Sequence, residues 1–171
     1  MKKLIYLLLL LLVLVGCSQK ELTRDDELLF ELQDINDEEL AALKKRVTIF
    51  TEEELKQNYA TIVFDYHVKN GKKFDKLTVD HQFNWGNFMD EIGLDVFQKF
   101  MNGNGKTTNF RNGSFKQDSN RFVFYTKDLT AEEIQEIFSK YALEIGWVND
   151  EGRWVSDIIQ VGSFYQDKRG E

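Results

Sequence analysis

Twelve apolar residues run without a break from Leu4 to Val15, and beyond them the apolar pattern becomes periodic. Leu28, Leu29, Leu32 and Ile35 recur at helical spacing, as do Leu40 and Leu43 within residues 37–46. Thr23 with Asp26, Asn36 with Glu39 and Thr51 with Glu54 have the spacing of capping boxes, in which each end of the motif satisfies a backbone N–H of the first turn. The N-terminal part therefore reads as helical.

The period then changes to two. Ala60, Ile62 and Phe64 alternate with Thr61, Val63 and Asp65. Leu77, Val79, His81, Phe83 and Trp85 alternate with Lys76, Thr78, Asp80, Gln82 and Asn84. Asn70-Gly71 lies between the two runs and suits a two-residue hairpin turn. That turn would set Phe64 opposite Leu77, Ile62 opposite Val79 and Ala60 opposite His81, with Asp65 opposite Lys76 on the other side. Turn chemistry and apolar pattern select the same register.

Farther on, residues 87–101 carry Phe88, Ile92, Val96, Phe97 and Phe100 at helical spacing, weakened by Gly93. Asn112-Gly113 predicts another tight turn, with Phe110 opposite Phe115, and residues 121–126 a further strand. Thr130 and Glu133 form a capping box before the stripe Ile134, Ile137, Phe138 and Tyr141, with Leu129 placed to staple onto Ile134. A last hairpin spans residues 143–161 and turns at Asn149-Asp150-Glu151-Gly152; a four-residue loop would pair Trp147 with Trp154. Three or four helices and about seven strands predict an α+β fold, an antiparallel sheet of hairpins with helices packed on one face. A β-sandwich with added helices is the alternative.

The N-terminal run needs a different account. It follows Lys2 and Lys3, and it is shorter than the roughly 20 residues of a bilayer span. It has the character of a secretory signal. Leu14-Val15-Gly16-Cys17 at its end resembles the lipobox of bacterial lipoproteins. The resemblance covers the first seventeen residues and implies cleavage between Gly16 and Cys17, with diacylglyceryl on the Cys17 sulfur. Cys17 is the one cysteine in the chain, so it has no internal disulfide partner. Two acyl chains, at about 0.8 kcal/mol per buried methylene, anchor far more firmly than one. On this reading residues 1–16 are a signal peptide and 17–27 a lipidated cysteine and polar tether. Residues 28–165 form one exported domain and 166–171 a polar tail. Without proline or a Gly/Ser linker, nothing marks a second domain.

Charge narrows the partners. There are 22 basic and 29 acidic residues, a net −7; losing Lys2 and Lys3 leaves 20 against 29, or −9. An acidic domain is a poor nucleic-acid binder and has no basic face for anionic lipid. Gly105-Lys106-Thr107 ends like a phosphate loop, but Phe100 stands where that loop needs its first glycine, so the segment reads as an ordinary loop. His67 and His81, the two histidines, fall near opposite ends of the expected hairpin and on opposite faces, where they cannot share a metal. No serine, threonine or cysteine stands in a nucleophile pattern, and no metal or cofactor is expected. Trp85, Trp147 and Trp154, with Tyr125 and Tyr165, are the candidate stacking residues for a protein or glycan ligand. The expected function is a lipid-anchored binding or interaction module on the outer face of the cell membrane. Its rival is an envelope enzyme acting on wall polymer through a carboxylate pair.

Overall fold

The computed structural model describes residues 23–82 and 102–171. The apolar N-terminal run, Gly16, Cys17, Trp85 and the helix expected over residues 87–101 fall outside the described residues. The fold is α+β, and its strands divide between two sheets. The larger sheet has the order β4-β5-β2-β1-β8, formed by Asn102–Asn109, Phe115–Tyr125, Tyr59–Val68, Asp26–Asp34 and Gln166–Asp167. The smaller has the order β3-β6-β7, formed by Asp75–His81, Ala142–Val148 and Trp154–Gln160. Neighbouring strands are antiparallel except β1 and β8.

Strand β1 replaces the first expected helix. The spacing of Leu28, Leu29, Leu32 and Ile35 fits a helix, but Phe30 belongs to the set as well. Leu28, Phe30 and Leu32 alternate inward while Leu29 stays exposed. Tertiary pairing decides between the two periods, since β2 offers β1 a full-length antiparallel partner from Val68 back to Ala60. The strand begins inside the segment expected as a tether. Strand β8 likewise lies in the expected polar tail, where backbone bonds dock it: the Lys168 N–H donates to the Leu32 carbonyl at 2.8 Å.

The expected β2–β3 hairpin does not form. One edge of β2 is taken by β1 and the other by β5. Asn70 has φ −100°, not the positive value of a type I′ turn, and residues 71–73 form a 3-10 turn that carries the chain to the smaller sheet. The Asn70 side chain instead holds the start of the chain, accepting from the Asp25 N–H and donating to the Thr23 carbonyl, each at 2.9 Å. Gly71 is needed for close approach: a Cβ there would lie 2.7 Å from the Phe110 ring and 2.9 Å from the Phe115 carbonyl. Strand β3 pairs with β6, through a bulge whose Lys76 has φ +50°. The bulge keeps Leu77, Val79 and His81 on the inner side, the face-sharing that the alternation predicts.

Both later hairpins turn where expected, the first with one residue more in its loop and the second with one fewer. Gly113 (φ +83°) and Gly152 (φ +73°) each close a three-residue loop, with Phe110 N–H donating to the Ser114 carbonyl and Asn149 N–H to that of Arg153. Asn109 therefore pairs with Phe115, and Trp147 with Val155. The segment 105–107, expected as a loop, lies within β4. Its polar residues suit an edge strand, which shows no apolar alternation.

The helices are α1 (Asp37–Lys44), α2 (Glu52–Asn58) and α3 (Ala131–Ser139), and each starts at its expected capping box. They do not share one face. Glu39 of α1 accepts from Thr61 at 2.8 Å, and Phe50, in the loop between α1 and α2, stacks on Tyr125; both lie on one face of the larger sheet. Helix α3 packs on the other, where Phe138 meets Phe30 with ring centroids 5.3 Å apart. The smaller sheet shares that second face, through Tyr141 at the start of β6 and His81 at the end of β3.

The turn after β7 passes close against the end of α3. A Cβ on Gly162 would fall 2.3 Å from the Phe138 carbonyl oxygen and 2.4 Å from Ser139 Cα. These are backbone atoms that cannot swing aside. Gly162→Ala should lower stability by about 1–3 kcal/mol, and Thr130→Ala, which loses one cap bond, by about 1 kcal/mol. Denaturant midpoints measure both; a neutral Gly162→Ala would show that α3 is not seated this closely.

Candidate functional site

Two charged links join the sheets, one at each end of β3. At its far end, His81 reaches across to the larger sheet. Its Nε2 lies 2.5 Å from Asp118 Oδ2 and its Nδ1 meets the Tyr141 hydroxyl. Thr107 Oγ1 donates to Asp118 Oδ1 at 3.0 Å. The His81 ring also packs against Phe64, with centroids 5.6 Å apart. Burial pushes the Tyr141 phenol far above its usual range and the Asp118 charge adds to this, so the hydroxyl keeps its proton. Burial alone would raise the Asp118 carboxyl, but bonds from His81, Thr107 and Asn120 outweigh it and hold the group low. With both ring nitrogens engaged, His81 acts as a strut between the sheets. Sequence reasoning placed it opposite Ala60; it lies beside Leu143 instead. His67 sits on the other face of the larger sheet, 3.8 Å from Glu27, so the two histidines remain apart.

At the near end of β3 lies an open groove of about 1030 Å³. Its walls come from the residues before β1, from the turn into β3 and from the β6–β7 hairpin. Arg24 crosses its floor. One guanidinium nitrogen donates to Asp157 at 2.9 Å and another pairs with Asp26 at 3.1 Å, while the group lies 4.9 Å over the Trp147 ring. Burial works against the Arg24 charge, but Asp157 and Asp26 more than compensate, so it stays firmly protonated. Asp75, Asp150 and Glu151 on the rim add negative charge, with Lys73 and Arg153 opposing it. The groove thus offers an aromatic edge among fixed charges of both signs. Among the described residues, no three His, Cys, Asp or Glu side chains gather as a metal site requires.

The aromatic candidates do not form one surface. Trp147 lines the groove and also meets Phe74 edge-on, with ring centroids 5.8 Å apart. Trp154 stands on the opposite face of the smaller sheet, 55 % exposed. The three-residue loop explains the split, because it pairs Trp147 with Val155 and so turns the two tryptophans to opposite sides. Tyr125 is buried between Phe50 and Tyr59, and Tyr165 packs on Phe30 and Phe138. These two belong to the core. Sequence reasoning missed Arg24, whose run of polar neighbours gave no sign that it would turn inward, and Asp118, which had no pattern around it.

Both ends of the pH scale test this arrangement. The Asp118 carboxyl is lower in the folded state than in the unfolded chain, so its contribution is complete above about pH 4 and fades as pH falls through the folded value. Asp118→Asn should therefore destabilise the protein at pH 7 and progressively less on acidification below about pH 4. Burial raises the Tyr66, Tyr141 and Tyr165 phenols, and Tyr59 to about 12. Their contribution is complete below about pH 10 and is lost above it, so stability should fall steeply from about pH 10 upward. A flat profile there would contradict the burial of these phenols. The chain matches no protein-family model and no curated protein sequence, so its functional reading stands on this geometry and on the sequence.

Proposed function

We propose that this chain is a lipid-anchored extracytoplasmic binding or interaction module, held to the outer face of the cell membrane through Cys17. The observation that carries the reading is the order Leu14-Val15-Gly16-Cys17 at the end of an apolar run too short to span a bilayer. Two structural observations agree with it. No helix among the described residues is long and apolar enough to cross a membrane. Arg24 is already locked into the groove, which leaves only a short polar stretch between Cys17 and the folded part. The groove would then open a short distance from the lipid surface.

Binding is favoured over wall-polymer hydrolysis by the state of the carboxylates. A general acid needs a raised pKa. The described carboxyls that are clearly displaced, Glu52, Glu54, Asp118 and Asp167, all move down. In the groove, Asp26 and Asp157 are both engaged by Arg24. What remains is a recognition surface in which Trp147 supplies the apolar contact and the rim charges select polarity.

Cys17→Ser should move the protein from the membrane to the soluble fraction and abolish labelling by a fatty-acid analogue, with the fold unchanged. Unlabelled wild-type protein, or a mature N-terminus other than Cys17, would refute the anchor. Binding is read separately. With Trp85 and Trp154 replaced by phenylalanine, Trp147 is the one tryptophan left, and its fluorescence should change saturably with either soluble wall glycan or peptide. No saturable change with either class would remove the groove as the binding site.

A further inference from the structure

Strand β7 forms the outer edge of the smaller sheet. Its odd residues face β6: the ladder continues from the Asn149–Arg153 bond through Trp147–Val155, Ile145–Asp157 and Leu143–Ile159. The N–H and carbonyl groups of Trp154, Ser156 and Ile158 therefore point outward. The Ile158 N–H confirms the parity, since its partner is the neighbouring carboxylate, Asp157 Oδ1, at 2.9 Å. The same residues put their side chains on the outer face, where Ile158 is 58 % exposed. Trp154 lies across Gly146, whose Cβ would fall 2.2 Å from its ring, so the indole is fixed in place with its far side to solvent.

An exposed edge of this kind is a template for another strand unless it is blunted. The opposite edge of the same sheet is blunted, by the Lys76 bulge and by the charges of Asp75 and Asp80. Strand β7 has no proline, no lysine and no bulge. We propose that β7 pairs antiparallel with β7 of a second copy of this chain, Ser156 facing Ser156 across a twofold axis.

Twofold registers centred on any residue from 154 to 158 keep the outward groups of both copies in bonding position, and side chains choose among them. With Trp154 or Ile158 on the axis, the other of the two is left without an apolar partner. With Asp157 on the axis, the two Asp157 carboxylates would face each other. With Val155 on the axis, Trp154 would meet Ser156 and Ile158 would have no apolar partner. With Ser156 on the axis, Trp154 lies opposite Ile158 of the second copy and Ile158 opposite its Trp154. This covers all four exposed apolar side chains with aromatic–β-branched pairs. On the inner face, that register sets Asp157 diagonal to both Arg153 and Asp157 of the second copy, so Arg153, with the Arg24 already paired to each Asp157, offsets the two carboxylates. The Ile158 N–H exchanges its local bond for the Trp154 carbonyl of the second copy. The interface is isologous, so it closes as a dimer and does not propagate.

Antiparallel bonded pairs have Cα atoms about 5.5 Å apart, within disulfide range. In cells making the full chain, Ser156→Cys should give a product of twice the chain mass on mild oxidation, read on a non-reducing gel of total protein. Asp80→Cys, on the blunted edge, should not. Adding Ile158→Lys, an exposed position, should cut the Ser156→Cys product about fivefold or more. No product from Ser156→Cys, an equal product from Asp80→Cys, or indifference to Ile158→Lys would overturn the pairing. A product of another mass would overturn it too, by showing a different protein on this edge. The chain with no added cysteine gives the background from Cys17, and only product above that background counts, so the outcome does not depend on whether Cys17 carries lipid.

Discussion

Strand β2 has two edges, and β1 and β5 fill both of them along most of its length. Everything after Val68 follows from that saturation. The chain cannot fold back as a hairpin, so it leaves the sheet through the 3-10 turn at 71–73 and starts a second one. Apolar side chains at 77 and 79 still need cover, and they find it by facing the larger sheet instead of joining it. The second sheet is the remedy for a strand that arrives with its preferred edge already occupied.

Between the sheets the middle is apolar and the ends are charged. Phe30 sits at the centre, its ring meeting Phe64, Phe138, Tyr141 and Tyr165 at centroid distances of 5.3–6.3 Å. Such edge-on contacts add about 0.5–1.5 kcal/mol each beyond burial. They resist separation, yet rings alone tolerate sliding. Arg24–Asp157 at one end of β3 and His81–Asp118 at the other are directional, and they fix where one sheet lies along the other. Arg24 and Asp118 are the buried members of the two links, so breaking either link leaves a buried charge short of a partner.

Local signals in the sequence held where no distant partner competed; the Thr23–Asp26 box opens no helix, because Asp26 enters β1 and pairs with Val68. Capping boxes at Asn36, Thr51 and Thr130 each open a helix, because the bonds that define them span only three residues. The α+β class follows from counting such elements. Asn70-Gly71 failed for a reason outside its own neighbourhood: the type I′ turn it could form has no edge to serve, and the Asn70 side chain is used on Thr23 and Asp25. Leu28 to Ile35 failed because a helical and an alternating period fit the same few leucines, and only the partner strand separates them. At the groove, Trp147 was legible as an aromatic with a polar handle. Arg24 and Asp157 were not, since 133 positions separate them in sequence.

One residue in a loop decides which surfaces the molecule has. A four-residue turn after Val148 would have set Trp147 beside Trp154 and made a continuous aromatic face. Asn149 instead draws the turn tight, its side chain accepting from the Glu151 and Arg153 N–H groups at 3.1 and 2.9 Å, and Gly152 takes the left-handed conformation that closes it. The strand that follows enters one position later, and every side chain on β7 changes its partner on β6. Trp147 goes inward, where Arg24 covers it and the groove forms. Trp154 goes outward, over Gly146, to the face of β7 that it shares with Ser156 and Ile158. A charged groove and an apolar strand edge thus arise on opposite faces of one hairpin, and the two can be altered separately because the sheet lies between them.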